Sequence, residues 1–313
     1  MSELVTLGET MALLSAPTWG RLRDMTSLQL SIAGAETNVA IGLCRLGYRA
    51  SWIGRVGDDE FGRLILARLR TEGVDVSAAV LDPAPTALMF RERRTRRVDR
   101  VSYYRRGYAG SRLGPDDLDE DLLRRARVVH LTGITPALSE SARAAVHAAF
   151  EVARSAGVLV SFDLNYRSAL WSVEAAAEVL WPLAHRADIV FAGEEELSIF
   201  GHEAAEDAAR ELSADGARTV VLKRGSRGAA AVHAGTMRTQ AAVPVQAVDP
   251  VGAGDAFAAG YLCGLLDGDD EQQRLALGCA VGAYAVTGLG DWESLPDRQD
   301  LQLALEPEGT VLR

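Results

Sequence analysis

The stretch "VLVSFDLNYRSALWSVEAAAEVLWPLAHRADIVFAG", residues 158–193, holds two short apolar runs on either side of a helical segment around Ala175. Strand, helix and strand in that order predict two parallel strands joined by a helical crossover. The same rhythm extends in both directions. "ARVVHLTG" (126–133) is followed by a helix ending near Gly157, and a helix around Ala208 leads to "ARTVVLKRG" (217–225). Nearer the N-terminus "LVTLGETMALL" reads as one strand. "ETNVAIGLCRLG" then reads as a helix with Val39, Leu43 and Leu46 on one face and Gly47 as its stop. "ASWIGRVG" reads as a further strand, and "DDEFGRLILARLRTEG" as a helix closed by Gly73. Two long Ala-rich segments after Phe257 end the chain as helices. The pattern predicts an α/β fold, a Rossmann-like doubly wound sheet with ligands at the carboxyl ends of its strands. No repeat or low-complexity linker divides residues 1–313, so one domain is expected.

One segment breaks the rhythm. "TALMFRERRTRRVDRVSYYRRG", Thr86 to Gly107, has β-rich arms, an Arg-rich middle and no crossover helix, which predicts a hairpin standing out from the main sheet. With residues 15–32 it would make a small β lid, formed by about 15–32 and 86–107. Its six Arg between Arg91 and Arg100 read as a solvated hairpin tip rather than a nucleic-acid patch, given the acidic whole. Period-two geometry sets Tyr103 and Arg105 on one face and Tyr104 and Arg106 on the other, one of which looks into a cleft.

Composition narrows the classes of function. A net charge of −10 argues against nucleic acid or an anionic membrane as the main partner. Cys44, Cys263 and Cys279 form no CxxC pair and read as thiols in a reducing compartment, with zinc and disulfides excluded. "MSELVTLGETMALL" has no basic leader region and no apolar run reaches spanning length, so the expected location is the cytoplasm. Of the 33 basic residues 32 are Arg, and Lys223 alone is Lys, a compact ammonium that Arg does not replace in a tight site. His130, in the apolar "VVHL", reads as a core residue, and "HEAAE" from His202 as a surface helix.

The chain carries no GxxxxGK[ST], no strand-borne GxGxxG and no serine elbow. What remains is "DPVGAGDAF", Asp249 to Phe257, a small-residue turn entering a helix. Asp255 there has two readings. It is a carboxylate capping a helix N-terminus, or it is a base beside a phosphate held on the amides of Gly252, Ala253 and Gly254. The second suits phosphoryl transfer from a nucleotide to an alcohol.

Residues 249–257 resemble the C-terminal signature of the ribokinase-like (PfkB) carbohydrate kinases. "AGAETNVAIGLCRLG" (33–47) followed by "GRVGDDEFG" (54–62) resembles their N-terminal signature. Within the family, "YYRRGYAGS", "HLTGITPALS", "FDLNYRSALWS" and "VVLKRGSRGA" are most similar to 2-keto-3-deoxygluconate kinases. The resemblance implies a β lid that doubles as a dimer interface, ATP and Mg²⁺ as co-substrate and metal, and phosphorylation of 2-keto-3-deoxy-D-gluconate to the 6-phosphate. It implies Asp255 as base and Gly252, Ala253 and Gly254 as anion hole. Gly34, Asn38, Tyr103, Arg105, Ile134 and Arg167 would contact the sugar acid, and Lys223, Gly225, Ser226 and Gly228 the nucleotide, with Glu196 organising Mg²⁺. A monovalent cation beside Asp249, as in some relatives, is a further implication. Beside these roles stand plainer ones: a surface ion pair for each Arg, a helix cap or packing residue for Asn38, a turn for Gly34.

Two departures stand out. The family's Asn-x-x-Glu motif is here Gly193-Glu194-Glu195-Glu196, and Met89 stands where related acid kinases often have Tyr. The rival readings are a kinase for a neutral sugar such as fructose or ribose, and a non-catalytic sugar-acid or nucleotide sensor.

Overall fold

The computed structural model describes residues 2–95 and 98–303. Eight strands form the central sheet, in the order Thr236–Gln240, Ala229–His233, Thr219–Lys223, Ile189–Gly193, Leu159–Asp163, Val128–Thr132, Leu4–Leu7 and Ala50–Ile53. The last six are mutually parallel. The first two add an antiparallel hairpin at one edge, which the alternating rhythm did not foretell because no helix separates its arms. Every residue of Val128–Thr132 and of Leu4–Leu7 is buried, as expected where helices cover both faces. On one face Phe150 of helix Glu140–Ser155 meets Phe162 edge-on, with ring centroids 5.8 Å apart. On the other, Phe191 meets Tyr261 of helix Ala253–Asp267 at 5.2 Å. Such pairs add about 0.5–1.5 kcal/mol each beyond the area they bury. His130 lies fully inside, bonded to Ser161 at 2.9 Å, and burial pushes it down to about 3, so it is a neutral core residue.

Two expected strands are each two strands. Leu4–Leu7 belongs to the central sheet, whereas Met11–Ser15 belongs to a second, four-stranded sheet. Ala50–Ile53 likewise parts from Arg55–Gly57, which pairs with Val80–Asp82. Both breaks fall on glycine, where the backbone packs too closely for a side chain. A Cβ on Gly8 would lie 2.3 Å from the Glu36 carboxyl carbon, and one on Gly54 would lie 2.1 Å from the Trp52 ring.

The second sheet has the order Gln29–Ala33, Met11–Ser15, Leu88–Thr95, Val98–Tyr104. The hairpin is therefore present, but Met11–Ser15 lies at its centre and much of 16–28 is irregular. Arg96 and Arg97, assigned to a solvated tip, lie outside the described residues, as do residues 304–313. Arg91 is not solvated. It is 5% exposed, because the period-two alternation that turns Met89 inward turns Arg91 inward as well. His202 precedes helix Ala205–Asp215 rather than sitting on it, and stacks on Trp181. Among the described residues no helix is long and apolar enough to cross a membrane.

Candidate active site

Helix Ala253–Asp267 starts from Gly252, whose left-handed φ of 75° and close approach to the Asp291 carbonyl, 1.9 Å from a built Cβ, leave room only for glycine. Its first turn is the wall between two cavities. One, about 480 Å³, is lined by Glu9, Gly34, Asn38, Met89, Tyr103, Arg105, Arg106, Ile134, Arg167, Gly252, Asp255 and Asp291, among others. The other, about 500 Å³ and mostly apolar, is lined by Lys223, Gly225, Ser226, Gly228, Val243, Val245, Ala253, Gly254 and Val286, among others. All the residues expected at the sugar acid thus reach the first cavity, and of those expected at the nucleotide, Lys223, Gly225, Ser226, Gly228 and Gly254 reach the second, whereas Gly252, also expected there, faces the first.

Asp255 does not cap its helix. Its Oδ2 accepts from Asn38 Nδ2 at 2.8 Å, so Asn38 in turn neither caps nor merely packs helix Ala35–Arg45. Burial pushes the Asp255 carboxyl up to about 6, with the Asp163 charge acting in the same direction, against the Asn38 hydrogen bond and the charges of Lys223 and Arg167. Asp291, which sequence reading missed, stands in the same cavity with Oδ1 buried and without a hydrogen-bond partner. Burial and the nearby Asp255 push it up to about 7. At the foot of the helix the Ala253 amide turns to Pro250 O at 3.3 Å and the Ala256 amide to Gly252 O at 2.9 Å, whereas the amides of Gly254 and Asp255 between them have no carbonyl behind them within the helix.

The basic groups are held by acids. Lys223 Nζ donates to Asp163 Oδ2 at 2.6 Å and lies 3.4 Å from where a Cβ on Gly254 would stand. Burial disfavours the ammonium, but Asp163, Glu196 and Asp255 together outweigh it and raise its pKa. Arg105 Nη2 lies 2.5 Å from Glu9 Oε2, a pair with both members buried rather than a surface bridge. Arg105 Nε is buried without a partner, and the guanidinium sits 5.4 Å from the Tyr103 ring centroid. The strand ends at Tyr104, so alternation stops there and Arg106 lines the cavity together with Arg105. Arg167 is half-exposed, donating to Asn165 Oδ1 at 2.6 Å and lying 3.5 Å from Glu196 Oε1. Glu9 carries a detectable signal, an acid just after the glycine that ends a strand. Asp291, in a loop, carries none.

Glu196 accepts from the Gly193 amide at 2.7 Å, which ties one carboxylate oxygen to its own helix start. Among the described residues no group of three or more His, Cys, Asp or Glu could hold a metal unaided. A magnesium ion is usually carried by nucleotide phosphates with one or two carboxylates; Glu196, expected to organise it, lines neither cavity, and its second oxygen lies 3.5 Å from Arg167 Nη1.

The chain is similar to known sugar kinases over nearly its whole length. The chain is 41% identical over 312 residues to a 2-dehydro-3-deoxygluconokinase of Thermoproteus tenax, covering 98% of this chain and 95% of that one. It is 38% identical over 296 residues to a 2-dehydro-3-deoxygalactonokinase of Haloferax volcanii, covering 93% and 92%. A ribokinase II of E. coli, solved in complex with ATP and Mg²⁺, superposes with a TM-score of 0.89 at 26% identity, covering 97% and 98%. The family model for pfkB family carbohydrate kinases matches residues 1–298, and the chain with its ribokinase-like fold belongs to that family.

Proposed function

We propose that this protein transfers the γ-phosphoryl group of ATP to the terminal hydroxyl of 2-keto-3-deoxy-D-gluconate, giving the 6-phosphate. The observation that carries the substrate is the pairing, in one cavity, of Asp255 with Arg105 and Arg167. A sugar acid offers a hydroxyl to the first and, to the arginines, a carboxylate beside those of Glu9 and Glu196, whereas a neutral sugar offers them no charge. The unpartnered Arg105 Nε supports that match. The name of the Thermoproteus tenax relative points the same way, and that of the Haloferax volcanii relative brings the galactonate epimer within range.

In this reading Asp255 takes the hydroxyl proton while Asn38 holds its carboxylate in place. The helix N-terminus and Lys223 face the transferring group. The apolar walls at Val243, Val245 and Val286 take the base of the nucleotide. Mg²⁺, carried by the phosphates, neutralises charge on the transferring group when bound. The small sheet serves as a lid that excludes water. Its outward face, with Leu30 and Tyr104 exposed and Phe90 edge-on to Tyr104 at 5.6 Å, suits a second copy of the chain. An intact base is of no use to a sensor.

The test is ADP release with ATP, Mg²⁺ and, separately, the gluconate and galactonate keto-deoxy acids, fructose and ribose. Turnover confined to the acids is expected; turnover on the neutral sugars alone would refute the substrate, and none at all would leave a sensor. The pH profile gives a second check. A protonated Asp255 cannot accept a proton, so kcat/KM is expected to fall about tenfold per pH unit below an apparent midpoint near 6, the upward-shifted value of this group. A midpoint near 4 would mean that burial does not raise the Asp255 carboxyl in the working enzyme, whereas a profile unchanged in Asp255→Asn would mean that Asp255 is not the titrating base.

A further inference from the structure

Four hydrogen bonds converge on the Asp249 carboxylate. Oδ1 accepts from Arg91 Nη2 at 2.7 Å and from the Val251 amide at 3.2 Å. Oδ2 accepts from Arg91 Nη1 at 2.7 Å and from the Gly290 amide at 3.2 Å. A carboxylate has about four acceptor sites, and all are taken. The side chains of Arg91 and Asp249 are 6% and 1% exposed, so the pair is shielded from water and screened little by salt. The remaining edge of the guanidinium is used as well, with Nε donating to Asp99 Oδ2 at 2.7 Å. A monovalent cation beside Asp249 does not fit this donor set. The carboxylate that would ligate it is already bound by a positive charge, with no lone pair left over.

We propose that Arg91 is a built-in cation. Reaching down from strand Leu88–Thr95 of the small sheet, it holds Asp249 and, through it, the turn that leads into Gly252, so that phosphoryl transfer needs no potassium or sodium ion. The inference rests on the kinase reading above and adds to it a positioning residue that touches neither substrate. Asp249 bonds the amide immediately before Gly252 and, through Gly290, the segment whose Asp291 carbonyl packs on Gly252. The guanidinium therefore fixes both sides of the turn. Misplacing that turn by about an ångström is enough to cost roughly a hundredfold in rate.

The experiment measures kcat, KM and melting temperature of the full-length protein in potassium, sodium and tetramethylammonium chloride at constant ionic strength. Wild type is expected to give the same kcat, within about twofold, and the same melting temperature in all three. Arg91→Gln is expected to lose at least about tenfold in kcat in tetramethylammonium with smaller changes in KM, and to recover part of it in potassium or added guanidinium. Its melting temperature should rise in potassium. Because Arg91→Gln leaves a buried carboxylate alone, Arg91→Gln/Asp249→Asn serves as the folded control, expected to melt near wild type, turn over slowly and respond to neither cation. A wild-type kcat at least tenfold higher in potassium than in tetramethylammonium overturns the proposal, as does an Arg91→Gln protein with undiminished kcat. If wild type turns over no acceptor in any salt, the kinase reading fails and melting alone decides: indifference of wild type to the cation upholds the built-in cation, and stabilisation by potassium refutes it.

Discussion

Asp255→Asn is expected to lower kcat about 100- to 10,000-fold, the usual worth of a positioned general base, while the protein melts no lower than wild type. Asn keeps the shape and can still accept from Asn38, so the folded geometry should survive. Stability follows from the direction of the titration. The folded pKa lies near 6, above the ordinary aspartate value of 3.8, so the native state binds a proton more readily than the unfolded chain. Above about pH 6 the carboxylate is ionised in both states and its burial in the fold is unfavourable; below the unfolded pKa this penalty is absent. Removing the charge should therefore raise stability at pH 7–8 by up to about 3 kcal/mol, some 4–5 °C in melting temperature. Measuring ADP release and thermal denaturation on the same preparation checks both. A variant that lost activity and melting temperature together would put Asp255 in the structure rather than the chemistry.

Arg105→Gln should reduce kcat/KM for the keto-deoxy acid about 10- to 150-fold, corresponding to the loss of about 1.5–3 kcal/mol from one charge-assisted contact. Activity on a neutral alcohol, where measurable, should change little. The complication is Glu9, whose carboxylate is buried against Arg105 and whose pKa is raised by that burial. Removing Arg105 alone leaves Glu9 without its partner, which is costly in itself. Adding Glu9→Gln separates the two effects. The double variant should recover thermal stability but not activity on the acid. Equal losses on acid and neutral acceptors would assign Arg105 to general architecture, and a neutral-sugar kinase would follow.

The candidate site was legible wherever a local pattern carries the chemistry. Asp255 lies beside a turn of small residues and requires only near neighbours to be read, whereas Asn38 and Lys223 took their roles from the resemblance of the segments that carry them. Asp291 and Arg91 were not legible as site residues, and Glu9 was missed despite its place after a strand-ending glycine, because their roles depend on contacts more than 90 positions away in sequence: Glu9 with Arg105, Asp291 with the cavity around Asn38, Arg91 with Asp249. The fold shows the same division. Crossovers are local and were readable, whereas the departures at Gly8 and Gly54 depend on Glu36 and Trp52 packing against bare backbone. Arg91 was half visible. Alternation from Met89 turns it inward, but a run of six arginines reads as solvent-facing until a buried carboxylate is found to receive one of them.

Lys223 carries one more consequence. The other 32 basic side chains are guanidinium groups, which common amine reagents leave largely untouched, and the single ε-amine lies against Asp163 and the first turn of helix Ala253–Asp267. A reagent that seeks lysine side chains therefore reports, on this chain, on the access to one cavity alone, the one Lys223 lines with Gly225 and Gly254. Acylation there would remove the ammonium, strand Asp163 and fill the space beside Gly254 in one stroke.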